Sequence, residues 1–385
     1  MERVALKIQR RKYLRDGVDE VGIHERLRAS AGPCGAIVAL REAFLHDGHV
    51  CMVFDRHGRN LDAALDRHPL PLPRARRAAR QMLLALAHLH RGGFTHTDVK
   101  PGNILYDGRR GEARLADLGS ASDRLRQGSI HGTREYYPPE ILLGAPLAPP
   151  LDLWCLGCTV FEMLTGRVLF SPRRAAARKY LEFSRGADAV EVPRAESVRL
   201  DEAAEKAEQM PRGSVVAGKY RLERELGRGR FGTVWSAQKL SRLPLHRPHA
   251  SLRDEAAARH RDSPEETEQE RRDRAWRRAK GADDLLDLTL NYEHVLLIAS
   301  LCGAFPPELI AAAKYRGSYF EDDGALRFRP VLRRTSIRER LRRGAKLAGC
   351  ELSEAADFLR ALLQIDPSAR ATAERALLHP WVNHG

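Results

Sequence analysis

Three short polar strings narrow the possible fold more than anything else in this chain: VALK at 4–7, HTDVKPGN at 96–103 and DLG at 117–119. Each falls at a definite place in the surrounding pattern. ERVALKIQ (2–9) alternates as a half-buried strand does, and DGVDEVGIHERLRA (16–29) takes a helical period. AIVALREAFL (36–45) and HVCMVF (49–54) read as a strand pair across the turn signal His46-Asp47-Gly48. ARRAARQMLLALAHLHRGG, from residue 75, predicts a long helix that stops at Gly92-Gly93. HTDVKPGN then occupies the loop after that helix, and DLG the end of a short strand. A strand-rich start followed by a helix-rich remainder predicts an α+β fold. With 385 residues, 43% hydrophobic and 30% charged, the chain can build one two-lobed domain or two small ones, and a fully disordered chain is excluded.

Composition removes several other classes. No stretch approaches the roughly 18 apolar residues of a membrane span, and Met1 is followed by Glu2 and Arg3 without an apolar signal core, so a soluble intracellular protein with no membrane partner is expected. The six cysteines are too dispersed for a disulfide framework, and Cys155 and Cys158, inside LDLWCLGCTVFEML, read as core packing rather than a metal site. A net charge of +14 would favour nucleic acid, but the arginines alternate with acids, as in RHRDSPEETEQERRDRAWRRAK (259–280), where a single aromatic, Trp276, does not make a stacking platform. A solvated charged face fits better, and nucleic acid is not expected as a direct ligand. The organisation reads as 1–60, strands and one helix; 61–171, helical with the catalytic-type loops; 172–291, a charged insertion with one patterned island at 218–240; and 292–385, where amphipathic helices return at 292–313 and 351–364.

Together and in order, the three strings resemble the signature set of a eukaryotic protein kinase. The resemblance implies a two-lobed fold, with a small β-rich lobe and a larger helical one, ATP and Mg2+ as cofactors, and a protein substrate. Phosphoryl transfer is mostly positioning and charge neutralisation, which accounts for the residue types. On this resemblance Lys7 meets the α- and β-phosphates and pairs with Glu20, and Asp98 orients and accepts the proton of the attacking hydroxyl. Lys100 neutralises the γ-phosphate, while Asn103 and Asp117 supply oxygen to magnesium. Phe54 stands at the gatekeeper place, Asp55 begins the hinge that runs to Gly58, and Ala5, Leu105 and Val234 cover adenine. Glu140, in GTREYYPPE, pairs with Arg370 of DPSARATA, and Asp152 braces the catalytic loop; these three are structural.

HVCMVFDRHGRNL, FTHTDVKPGNIL, LADLGSAS and, further on, HVLLIASLCGAFPPELIAAAKYRGSYF (294–320) and RATAERALLHPWVN resemble the SR-protein kinase branch of the CMGC serine/threonine kinases, related to the LAMMER kinases. That branch phosphorylates serines in arginine/serine-rich proteins of the splicing-factor type, in nucleus or cytoplasm. The implied acidic docking residues are Glu293, Glu321, Asp322 and Asp323, although Ser300 takes a second acidic place and the groove tryptophan is not seen. Threonine stands at position 97 where phosphate-regulated kinases carry arginine, so activity independent of activation-loop phosphorylation is expected.

One element is out of order. A kinase phosphate lid precedes VALK, yet Gly227, Gly229 and Gly232, in GxGxxGxV spacing, lie in GKYRLERELGRGRFGTVWSAQKL at 218–240. Two outcomes follow. Either the segment folds back to complete the sheet beside VALK, or the chain is a rearranged one whose lid never docks, leaving a catalytically impaired, pseudokinase-like scaffold. His24, four residues after Glu20, stands where the family has an apolar residue.

Overall fold

The computed structural model describes residues 2–66, 68–125, 127, 132–172, 210–228, 232–240, 249–261, 281–327 and 334–383. Its elements run β1 (Arg3–Gln9), α1 (Leu14–Ala31), β2 (Leu40–His46), β3 (His49–Asp55), β4 (Arg59–Asn60), α2 (Leu61–Leu65), α3 (Leu72–Arg91), β5 (Ile104–Asp107), β6 (Glu112–Leu115), α4 (Pro139–Leu143) and α5 (Pro150–Thr165). They continue with β7 (Val215–Val216), β8 (Tyr220–Arg228), β9 (Gly232–Lys239), α6 (His249–Arg261), α7 (Gly281–Cys302) and several shorter helices, then α8 (Gly349–Leu362) and α9 (Pro380–Asn383). Two compact units result, one from Met1–Gly58 with Val192–Asp283 and the other from Arg59–Glu191 with Asp284–Gly385.

The first unit is an antiparallel sheet in the order β2-β3-β1-β9-β8-β7. Alternation in β1 sends Val4, Leu6 and Ile8 into a core with Phe44, Cys51, Val53, Tyr220, Leu222, Trp235 and Ala237. Ala5, Lys7 and Gln9 therefore share the opposite face. β2 and β3 are joined by a two-residue turn whose Asp47 and Gly48 both take positive φ, 48° and 79°, as the sheet twist favours. β2 starts at Leu40 rather than at residue 36: Ala36, Ile37 and Val38 are buried ahead of it, and only Ile37 forms an isolated bridge.

β9 lies antiparallel on β1 along all seven residues of that strand, from Arg3 opposite Gln238 to Gln9 opposite Gly232. The glycine-bearing hairpin thus docks in the same chain, and the undocked reading is overturned. Phe44 and Tyr220 stack at 6.0 Å across the two sequence-distant halves. Lys219, itself buried, reaches Glu42 at 2.9 Å, and Arg3 reaches Glu223 at 3.2 Å. Beyond the hairpin, α6 packs on α1 with Leu252 fully buried.

In the second unit α5 is buried along its length, and α3 packs against both α5 and β6 of the small β4-β5-β6 sheet. Trp154 stacks on Phe170 at 5.7 Å and Phe358 on Trp381 at 4.6 Å. Cys155 and Cys158 are buried free thiols, each pushed well up by burial, and act as small apolar packing groups. The helix expected over 292–313 is two helices, because Gly303 takes φ +108° and Pro307 opens the next one. Among the described residues no helix is long and apolar enough to cross a membrane.

Two consequences for stability follow. Arg370 forks onto Glu140 at 2.7 and 3.0 Å with both side chains at most 1% exposed, so Arg370→Leu strands a buried carboxylate and should cost about 3–5 kcal/mol in denaturant titration. His294, on α7 against Phe170, is fully buried with neither ring nitrogen bonded, and burial, reinforced by Arg134, lowers its pKa from 6.5 to about 3. Between those pH values the unfolded chain takes up a proton that the folded chain refuses, so this contribution is intact above pH 6.5 and is lost as pH falls toward 3. In His294→Phe the decline of Tm between pH 7 and pH 5 should be shallower than in the unaltered chain.

Candidate active site

In the first unit Lys7 Nζ lies 2.8 Å from both carboxylate oxygens of Glu20. Strand alternation aims Lys7 at the helix side of the sheet, and α1 carries Glu20 there at 1% exposure. The neighbours of Lys7 on β3 and β9 are Met52 and Val234, and Ala5 stands opposite Phe54. His24 packs its ring against Phe54 at 5.6 Å, so an amphipathic imidazole fills the place expected to be apolar. The carboxylate of Asp55 is held by Arg41, which also pairs with Glu2.

The two described glycines of the hairpin differ physically. A Cβ on Gly232 would sit 2.1 Å from the carbonyl oxygen of Ile8, so only glycine lets β9 reach β1 there. A Cβ on Gly227 would meet no atom of the described residues within 4 Å. Gly229 lies outside the described residues.

The second unit holds the other half of the predicted residues. Asp152, fully buried on α5, accepts hydrogen bonds from the backbone N–H groups of His96 and Thr97, each at 2.8 Å, and from His90 Nε2 at 2.9 Å. These bonds hold the loop while Thr97 adopts φ +69°, a left-handed conformation that a β-branched residue takes only under constraint. The Thr97 hydroxyl donates to the Ser120 carbonyl at 2.8 Å. His96 Nε2 faces the Ala116 carbonyl at 3.1 Å and so carries the proton, leaving Nδ1 to accept from the Asp98 N–H at 3.3 Å.

Asp98 is the centre of this half. Lys100 Nζ reaches its Oδ2 at 2.6 Å, and the Asn103 amide donates to the same oxygen at 3.0 Å and to the Asp98 carbonyl at 2.8 Å. Thr133 donates to Asp98 Oδ1 at 2.8 Å and accepts from Lys100 at 2.6 Å. With its nitrogen engaged, Asn103 keeps its oxygen as a hard acceptor. Asp117, at φ +60° and ψ 76°, supplies a carboxylate at the end of the next strand. Among the described residues no three His, Cys, Asp or Glu side chains cluster as a metal cage. Magnesium bound through substrate phosphates needs only one or two protein oxygens, and the Asn103 and Asp117 donor set fits it.

The sequence reading missed Thr133 and His90. Thr133 follows Gly132, where a Cβ would approach the Thr97 carbonyl to 2.6 Å, and the available signal was its place in GTREYYPPE. His90 looked like one more residue of a helix end. Of the expected docking acids, the Glu321 carboxylate lies 3.9 Å from Arg327, the Asp322 carbonyl accepts from Arg316, and the Asp323 carboxylate accepts from the Ala325 N–H. Ser300 turns its hydroxyl back onto its own helix, to the Leu297 carbonyl. A different acidic feature is present: a cavity of about 480 Å³ lined by Asp62, Asp66 and Glu162, with Ala63, Leu65 and Gly166. Burial raises the pKa of Glu162, and the Tyr136 hydroxyl, donating at 2.7 Å, opposes that shift.

A family model described as the protein kinase domain matches residues 2–211. The serine/threonine-protein kinase prp4 of Schizosaccharomyces pombe is 36% identical over 178 residues, covering 44% of this chain and 37% of that protein. The probable serine/threonine-protein kinase clkA of Dictyostelium discoideum is 29% identical over 209 residues, 43% of this chain and 22% of that one. Homeodomain-interacting protein kinase 2 of Mus musculus is 36% identical over 179 residues, 44% and 15% respectively. The chain therefore spans well under half the length of the curated relatives it matches.

The hairpin glycines yield a paired test. Gly232→Ala should destabilise the chain by roughly 1–3 kcal/mol in urea titration, since the obstructing atom is backbone and cannot turn aside. Gly227→Ala, which meets none of the described residues, should leave the unfolding free energy within about 0.5 kcal/mol.

Proposed function

The chain belongs to the protein kinase domain family, and from that premise we propose that it transfers the γ-phosphoryl group of ATP to a serine or threonine hydroxyl of a protein, as a kinase of the CMGC group. The observation that carries this reading is the four-residue knot of Asp98, Lys100, Asn103 and Thr133. Asp98 presents a carboxylate whose orientation is fixed by three donors, which is what a group that orients an attacking hydroxyl and takes its proton requires. Lys100, shared between Asp98 and Thr133, would neutralise the transferred phosphoryl group. Lys7, held by Glu20, would take the α- and β-phosphates, with the bare backbone of Gly227 opposite Val234 on the other side of β9. Magnesium, when bound with ATP through Asn103 and Asp117, would neutralise charge on the phosphate oxygens. Ala5, Leu105, Val234 and Phe54 are assigned to the adenine, and Asp55 to the hinge.

For the substrate we favour an arginine/serine-rich protein. Support comes from the Asp62–Asp66–Glu162 cavity, whose carboxylates suit a guanidinium. Glu293, Glu321, Asp322 and Asp323 remain the assigned docking acids, with Glu321 already shared with Arg327. Thr97, engaged with Ser120 through its hydroxyl, offers no cation to an activation-segment phosphate.

Turnover of an arginine–serine repeat peptide with ATP and magnesium tests this directly. The intact chain should phosphorylate the peptide, while Asp117→Ala and a deletion of residues 218–240 should each lower kcat/KM by about a hundredfold or more. An intact chain that neither binds ATP nor turns over would defeat the reading. Phosphatase treatment beforehand should leave the rate unchanged, and Asp62→Asn with Asp66→Asn should raise KM for the arginine–serine peptide more than for an arginine-free one.

A further inference from the structure

Gln9 is a polar residue where a sheet packed under a helix would ordinarily place an aliphatic one. It sits two positions after Lys7 on the same face of β1 and is 1% exposed. Its amide nitrogen donates to Glu20 Oε2 at 3.2 Å, the oxygen that Lys7 also holds at 2.8 Å. The opposite amide orientation would set oxygen against carboxylate, so the donor must face Glu20. Its own oxygen has no hydrogen-bond partner among the described residues. A buried amide half-satisfied in this way is a net cost to folding compared with a leucine or methionine of similar volume. Packing therefore does not account for glutamine here, and the bond to Glu20 does.

The surroundings hold Gln9 in that role. Gly17, on α1 and three residues before Glu20, lies so close that a Cβ there would stand 2.9 Å from Gln9 Cγ and 3.0 Å from Val50 Cβ. The absence of a side chain at 17 brings the helix within reach of a short amide. The Gln9 carbonyl accepts from His49 Nδ1 at 2.7 Å, so His49 Nε2 is the acceptor that Arg11 Nε meets at 3.3 Å. On the other side Gln9 stands opposite Gly232 of the hairpin. One residue thus touches the end of the glycine hairpin by its backbone and the glutamate of α1 by its side chain.

We propose that Gln9 is a positioning residue for the Lys7–Glu20 pair, fixing the glutamate by a second donor so that the lysine stands where the nucleotide phosphates need it. This rests on the kinase reading of Lys7. It is tested in the full chain by Gln9→Met, which keeps volume and removes the donor, and by Gln9→Glu, which keeps shape and sets a carboxylate against Glu20. Gln9→Met should fold with an undiminished Tm yet lose about tenfold in kcat/KM for ATP, mostly through KM. Gln9→Glu should lose more at pH 8 and recover toward the Met variant at pH 6, where a proton shared between the two carboxylates restores a donor. Wild-type-like kinetics in Gln9→Met, or a Gln9→Glu deficit indifferent to pH, would overturn the proposal. Hydrogen exchange of amides 17–27 gives a readout that does not need turnover: faster exchange in Gln9→Met supports the role, and unchanged exchange rejects it. An intact chain without kinase activity would defeat the functional reading alone, and the exchange comparison would still decide the role of Gln9.

Discussion

The ladder between β1 and β9 joins residues that are more than two hundred positions apart, and most of the first unit depends on it. Without β9, β1 would be an edge strand, with unpaired amides along one side and Lys7 on an uncovered border. With β9 in place, Val4, Leu6 and Ile8 find Trp235, Ala237 and Tyr220 as core neighbours. The loop closures on both flanks of the hairpin cost entropy, but that cost grows only as the logarithm of loop length. A seven-residue ladder, a stacked aromatic pair and the buried Lys219–Glu42 pair offset it. The close backbone approach at Gly232 is the tightest point of this joint.

A second constraint shapes the loop at 96–103. Holding Thr97 at positive φ is unfavourable by about 1–3 kcal/mol, and Asp117 adds a further left-handed residue. Asp152 supplies what holds the loop against that tendency. Its two oxygens take two backbone donors and one imidazole, in a helix with no exposure to compete for them. The strain and its support together turn Asp98 toward Lys100, Asn103 and Thr133. The same logic of paired donors recurs at Glu20, where lysine and glutamine share one carboxylate.

Much of this was legible in the residues. Alternation in ERVALKIQ put Lys7 on one face and the core residues on the other, and the Asp47-Gly48 turn and the Gly92 helix stop are local signals that tertiary context did not override. The apolar run at 36–38 did not extend into a strand because burial alone does not give a continuous ladder, only a single bridge at Ile37, and the helix over 292–313 failed because a glycine at positive φ ended it. The expected acidic docking cluster is partly taken up by its own turn, which no count of acids along a sequence reveals.

The sequence by itself determined which polar residues stand on which elements. Residue type and spacing assigned a lysine, a glutamate, an aspartate–lysine–asparagine loop and a second aspartate to their elements, since those choices depend on strand and helix periods that act over a few residues. Tertiary structure decided whether the displaced glycine hairpin joins the sheet, that Thr133 and His90 enter the catalytic loop network, and that Gln9 shares Glu20. Each of these is a contact between segments distant in the chain. Such contacts are set by the balance of loop entropy, strand pairing and buried hydrogen bonding, a balance that local sequence pattern does not carry.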